Sequence, residues 1–167
     1  MNNRTIVFFA LLILCPVVIY FLWPSDESRI KKLFREGSKA IEQENMEDVM
    51  SKISFNYRDR QGFAYLSLKE GMNRVFRQMS GIKIEYDIKK ISVKDDSADV
   101  DLDLRVIASY GQDTGYVVGD AAEPAHMRFS LEKTRTAWLV AASEGLQFTF
   151  QLKPDSKLFS PCQICLF

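Results

Sequence analysis

The chain has 167 residues, with 22 Lys and Arg against 22 Asp and Glu, so its formal charge is zero. Balanced charge gives no electrostatic reason to expect a nucleic-acid partner. With one His and three Cys, a transition-metal centre has little to build on, and no cofactor motif is present.

The first feature is an uncharged run, Thr5 to Trp23, after the short positive stretch Met1-Asn2-Asn3-Arg4. About nineteen apolar residues suffice to cross a bilayer as a helix. Tyr20 and Trp23 stand near the far end, where amphipathic rings favour the interface. The exit, YFLWPSD, offers no A-x-A-like cleavage site. Cys15 follows Leu14 in mid-run, so it is not read as a lipid acceptor. An uncleaved single-pass anchor at residues 5–23 is expected. The charges conflict on orientation. Only Arg4 precedes the run, whereas Arg29, Lys31, Lys32, Arg35 and Lys39 follow it. A large folded domain nevertheless translocates largely regardless of charge, and the domain is expected outside the cytoplasm.

The remainder reads as helices and then strands. Ile30, Leu33, Phe34 and Ile41 share one helical face, with Gly37 leaving room for close contact. Asn45 has the character of an N-cap, with Asp48 at the reciprocal position, before Met46, Val49, Met50 and Ile53. After the break SFNYRDRQGF, Ser67 and Glu70 form a capping-box pattern. They predict a third helix with Leu68, Met72, Val75, Phe76 and Met79 on its apolar face and Gly81 as its stop.

The period then becomes two. Ile82, Ile84, Tyr86 and Ile88 alternate with charged residues, and the phase slips before Ile91, as at a bulge. KDDS makes a turn. Ala98, Val100, Leu102, Leu104 and Val106 alternate with Asp99, Asp101, Asp103 and Arg105, the pattern of a sheet buried on one face. A long Gly-rich connection between Ser109 and Ala125 follows. Met127, Phe129 and Leu131 form a further strand, Trp138, Val140 and Ala142 return after EKTRT, and Leu146, Phe148, Phe150 and Leu152 alternate again up to Pro154. Leu33, Phe34, Ile41, Phe76, Val100, Leu102, Leu104, Phe129 and Trp138 are expected to share one core.

The fold class is α+β, three helices on one curved antiparallel sheet, preceded by a transmembrane helix. The domain plan is an anchor at 1–23, a domain at 24–153 and a tail at 154–167. The tail carries Cys162 and Cys165 as a C-x-x-C without the strand and helix of a redox motif. A plain tail or a local disulfide is the reading.

The order helix, short helix, YRDRQGF, helix, then strands ending in FSLEKTRTAWLVAASEG resembles the nuclear transport factor 2-like superfamily, in particular its small membrane-anchored bacterial members. The resemblance covers roughly Asp26 to Glu144. It implies a cone in which the sheet wraps a long helix and leaves a pocket, and a place in the bacterial inner membrane with the domain on the periplasmic side. In isomerase-like members a base carboxylate lies after the second helix, where NYRDRQG places Asp59. The plainer alternative is an Asp59 held by Arg58, Arg60 or the local turn. Against chemistry, the first helix has Phe34 and no Tyr, and Met127, Phe129 and Leu131 offer no oxyanion donor. Tyr57 and Tyr86 are the substitutes available.

His126 is out of phase with Met127 and is expected on the outer face. Asp99, Asp101 and Asp103 are expected on a solvated face, with no metal. The Gly-rich connection is expected to form a hairpin arm or lid whose Tyr116 and Val118 touch a pocket or partner. The ligand-binding set is therefore Tyr57, Tyr86, Tyr116, Val118 and Trp138. Two functions follow. One is a tethered, non-catalytic module that takes a small apolar ligand or an envelope protein through its cone or sheet, alone or as a homodimer. The other is an isomerase- or cyclase-like enzyme using Asp59 as general base.

Overall fold

The computed structural model describes residues 25–60, 62–135 and 137–145. The expected anchor at 5–23, the alternating stretch from Leu146 to Leu152 and the Cys162/Cys165 pair lie outside the described residues. Among the described residues, no helix is long and apolar enough to cross a membrane.

Helix α1 spans Asp26–Glu42. Ser25 caps it by accepting the Ser28 N–H at 3.3 Å, and Asp26 and Glu27 complement the positive end of its dipole. Ile30, Leu33 and Ala40 are buried along one face. Gly37 stands in open space, with nothing within 4 Å of where a Cβ would sit. Close contact is therefore not its role. The helix ends in a Schellman motif built on Glu44, whose φ is 54°. Asn45 N–H bonds Ala40 O and Glu44 N–H bonds Ile41 O, both at 3.0 Å. Asn45 then caps α2, Met46–Met50. Its side chain accepts from the Asp48 N–H at 3.2 Å and donates to the Asp48 carboxylate at 2.7 Å.

Helix α3 is Tyr65–Gln78, and it starts before the Ser67 predicted to cap it. Ser67 is the third helical residue, and its hydroxyl reaches back to accept the Ala64 N–H at 2.8 Å. That is the reciprocal half of a capping box, supplied without a partner at the N-cap. Gly81 does not stop the helix either. The chain passes from Gln78 directly into β1, Met79–Lys94, and Gly81 (φ 61°) sits at the bulge between Ser80 and Lys83.

β1 pairs antiparallel with β2, Ser97–Tyr110, across a turn at Asp95 and Asp96. The register slips between Ile88 and Lys90, where the sequence pattern slips. The long connection is not a loop. After a turn at Gly111 and Gln112, β3, Asp113–Val118, folds back on β2. The chain leaves the sheet for Gly119–Pro124 and rejoins the same edge of β2 as β4, Ala125–Lys133. The Asp120 carboxylate closes this excursion by accepting the Ala122 and Glu123 N–H groups at 2.7 Å each. β5, Trp138–Glu144, completes the order β1-β2-β4-β5, with β3 on β2.

The apolar residues form two clusters. One holds Ile30, Leu33, Tyr57, Val100, Leu102, Met127, Leu131, Trp138 and Val140, with Phe34, Leu104 and Phe129 against it. The other holds Ile82, Ala108, Val117 and Val118, with Ile41 and Phe76 against it. The single core is thus two, with Leu104 touching both, because Ile41 and Phe76 lie further along their helices from the α1 N-terminus and the 59–63 turn.

Asp26 ties the α1 start to the sheet, accepting from Lys133 Nζ at 2.9 Å and from Trp138 Nε1 at 3.1 Å. The Lys133 bond, then the Trp138 bond, outweigh burial and hold its carboxyl below the usual value. A depressed folded pKa contributes stability above the unfolded value, near 4, which is lost as pH falls through the folded value. The urea midpoint is therefore expected to drop below about pH 4. Asp26→Asn should flatten that acid limb while lowering the plateau near neutrality.

Candidate functional site

The segment Ser51–Ala64 positions the sequence-predicted base. It is laced to β5 by backbone bonds: Val140 N–H to Lys52 O at 2.9 Å, Ser54 N–H to Val140 O at 2.9 Å and Arg58 N–H to Ala141 O at 3.0 Å. Ser54 is buried. Its hydroxyl donates to the Glu132 carboxylate and accepts the Asn56 N–H. Arg60 Nε pairs with Glu144 at 2.9 Å and fixes the loop to the end of β5.

Within this frame Asp59 closes a tight turn. Its Oδ1 accepts the Phe63 N–H at 2.8 Å, and its own N–H donates to Phe63 O at 3.1 Å. The turn is the plainer of the two roles foreseen for Asp59, and Arg60 is directed to Glu144 instead. Tyr57 is buried, and its hydroxyl lies 2.7 Å from Ser143 Oγ. Burial pushes the Tyr57 phenol up. The Ser143 bond opposes this, and the negative charge of nearby Asp59 adds to it. The phenol is therefore a neutral group set beside a carboxylate. Ser143 escaped the sequence reading. It pairs with Phe129 across the β4–β5 ladder and so shares the concave face; it is out of phase with Trp138, Val140 and Ala142, and only the register shift between Ser130 and Leu131 brings it there, so the sequence carried no signal for it. Tyr57→Phe should cost about 1 kcal/mol, the net worth of one hydrogen bond, read as a small drop in melting temperature.

The other predicted ligand residues are not gathered here. Tyr86 is half-buried and lies 6.5 Å from Phe34, which meets Phe129 edge-on at 5.4 Å. Trp138 is buried at the α1 start, with Lys133 Nζ 5.4 Å above its ring. Val118 is buried in the second cluster, and Tyr116 is half-buried opposite Ile107. Trp138 flanks the Ser97 end of β2, through Lys133 and the Ser97–Glu132 pair, while Tyr116 flanks the Tyr110 end. Ser97 and Ile107, the partner of Tyr116, are ten residues apart on β2, some 30 Å at about 3.3 Å per residue.

On the outer face, Asp99 accepts from Ser130, Asp101 from Arg128 at 2.7 Å, and Asp103 lies 3.2 Å from His126 Nδ1. Among the described residues, no group of three His, Cys, Asp or Glu side chains could hold a metal. A shallow hollow of about 250 Å³ beside this ladder is lined by Glu85, Tyr86, Asp87, Lys89, Asp103 and Arg105. A larger open groove, about 610 Å³, lies on the helical side. Its apolar lining is Met46, Met50, Ile53, Phe55, Tyr65 and Leu139, and Asp59 lines neither hollow.

Helix α3 carries a further feature. Its apolar stripe, Leu68, Met72, Val75 and Phe76, is half-buried, and none of its fourteen residues is fully buried. An amphipathic helix normally seals its stripe against the core.

No family model and no curated protein sequence matches the chain. Solved structures do. A scytalone dehydratase-like protein from Novosphingobium aromaticivorans is similar with a TM-score of 0.63 at 14% identity, over 75% of this chain and 85% of that one. A ketosteroid isomerase-like protein from Erwinia carotovora atroseptica gives 0.56 at 15%, over 70% and 91%. A protein of unknown function with a cystatin-like fold from Nostoc punctiforme gives 0.54 at 14%, over 80% and 96%. The chain has the nuclear transport factor 2-like cone fold, and at these identities the likeness is one of fold alone.

Proposed function

We propose that the chain is a membrane-tethered, non-catalytic module that holds a small apolar ligand between α3 and the concave face of the sheet. The observation that carries this reading is the half-buried apolar stripe of α3. Leu68 leans on the first cluster, and Val75 and Phe76 lean on the second. The Tyr57–Ser143 hydroxyl pair supplies a polar point on an otherwise apolar face, the usual makeup of a small-molecule site. The tether is residues 5–23, which carry no charge. The reading keeps the domain on the periplasmic side of an inner membrane, where an envelope protein is the other partner class and a homodimer an allowed assembly.

The test is titration of residues 24–167 with anilinonaphthalene sulfonate. Saturable binding at one site, lost in Met72→Glu while the melting transition is kept, is the expected result. Non-saturable binding, or binding indifferent to Met72→Glu, counts against the reading.

The alternative is an isomerase- or cyclase-like enzyme with Asp59 as general base. The specific observation in its favour is the neutral Tyr57 phenol beside Asp59, a donor near a base. Asp59→Asn keeps an acceptor for the Phe63 N–H, so the fold should stand. Deuterium exchange alpha to the carbonyl of a cyclic ketone should then disappear if this reading holds.

A further inference from the structure

Phe55, 83% exposed, and Leu66, 71% exposed, are two of the most exposed large apolar side chains among the described residues. Phe55 contacts the ring of Tyr65 at 4.8 Å, and Leu66 follows Tyr65 in the chain. Phe55 and Tyr65 also wall the open groove with Met46, Met50, Ile53 and Leu139. The charged groups around the patch largely cancel. Lys52 is paired with Glu36 and Arg60 with Glu144; Glu47 and Lys69 both line the groove, and Arg58 is exposed.

The position of the patch relative to the chain's entry into the domain is fixed by β4. Asp26, two residues after Pro24, is held by Lys133. Ser54, next to Phe55, is held by Glu132. The first turn of α1 and the Phe55 loop are thus tied to consecutive residues of one strand. Val140, whose backbone binds both Lys52 and Ser54, is only two residues, about 7 Å, from Trp138, the other partner of Asp26. The uncharged run 5–23 ends just before this point, at Trp23.

We propose that Phe55, Tyr65 and Leu66 form a second membrane contact that dips into the bilayer interface beside the anchor. The inference rests on the tether reading of residues 5–23. An aromatic pair with a Leu on a near-neutral rim is the composition that partitions into the headgroup–acyl boundary. The contact depends on buried apolar area and not on anionic lipid, so zwitterionic vesicles suffice. It would hold the domain in one orientation, with the wall of the Met46–Met50 groove facing lipid.

The experiment uses the full chain in phosphatidylcholine vesicles, with F55W as the reporter and the unaltered chain subtracted to remove Trp23 and Trp138. F55W replaces one exposed ring by another, so its melting temperature should match the parent. Flotation through a sucrose gradient reports the tether. With brominated acyl chains, the difference emission is expected to fall at least twofold, and aqueous iodide is expected to change it little. A chain that floats but whose introduced indole is quenched by iodide and not by bromine keeps the tether and overturns the second contact. An indole shielded from both quenchers only at high protein-to-lipid ratio points to a second copy covering the patch, and equally overturns it. A chain that does not float overturns the tether and this inference together.

Discussion

Replacing Leu102 with Asp is expected to leave the domain unfolded at room temperature. Leu102 is 1% exposed and sits in the centre of β2, opposite Ile88 on one side and Met127 on the other. A carboxylate there would join the buried apolar cluster of Ile30, Leu33, Val100, Leu131 and Trp138, whose indole N–H is already given to Asp26. An unpaired buried polar or charged group costs several kcal/mol, and lost packing adds about 2–5 kcal/mol for a buried Leu. A single domain has only about 5–15 kcal/mol in total. The neighbouring change Asp101→Asn is the control. Asp101 faces outward and bonds Arg128 at 2.7 Å, an exposed-face pair worth at most about 1 kcal/mol. Urea titration followed by far-ultraviolet circular dichroism should show no folded baseline for the first variant and a nearly parental midpoint for the second. Equal midpoints would mean that the assigned faces of β2 are wrong.

That pair of outcomes could be written from the sequence because β2 alternates without interruption from Ala98 to Leu104. The α1–α2 junction was legible for a similar reason: Asn45 and Asp48 carry a local, side-chain-encoded cap. The errors fall where the determinants are not local. The Gly-rich connection does fold back on β2 as a hairpin, but Val117 and Val118 are adjacent and both buried, so period-two counting does not fix the bounds of β3. Val106 pairs with Val118 and Ile107 with Tyr116, so Val117 is the extra residue of a bulge that only the pairing with β2 defines. The start of α3 was misread because its hydroxyl works from inside the helix back to Ala64. At the candidate site, Asp59 was named from its place in the chain, but its bond to Phe63 and the approach of Ser143 to Tyr57 across 86 residues are tertiary facts. The Phe55–Tyr65 contact was invisible because it joins residues ten apart across the turn at Asp59, with Tyr65 outside both the expected break and the helix expected from Ser67.

Gly145 joins these strands to the site, and Gly145→Ala is the second large effect expected. Its φ is 93°, a conformation that L residues rarely adopt. A Cβ there would lie 2.5 Å from the His126 carbonyl oxygen and 3.6 Å from Met127 Cα. The obstacle is the backbone of β4, which has no rotamer with which to yield. Strain of this kind costs about 1–3 kcal/mol, and separating the strands adds to it. The end of β5 must move, carrying Glu144 away from Arg60 and Ser143 away from the Tyr57 hydroxyl. The damage therefore reaches the candidate site as well as the sheet. Gly37→Ala makes the opposite case. It lies in the interior of α1 with open space around it, so Ala should stabilise by about 0.5–1 kcal/mol through helix propensity. Thermal melts should rank Gly37→Ala above the parent and Gly145→Ala several degrees below it. Gly145→Ala should also loosen amide-exchange protection at Arg58, whose N–H is held by Ala141 of β5. A Gly145→Ala protein that melts with the parent would show that the β4–β5 approach at His126 is wider than 2.5 Å permits, and the link from this glycine to Tyr57 would fall with it.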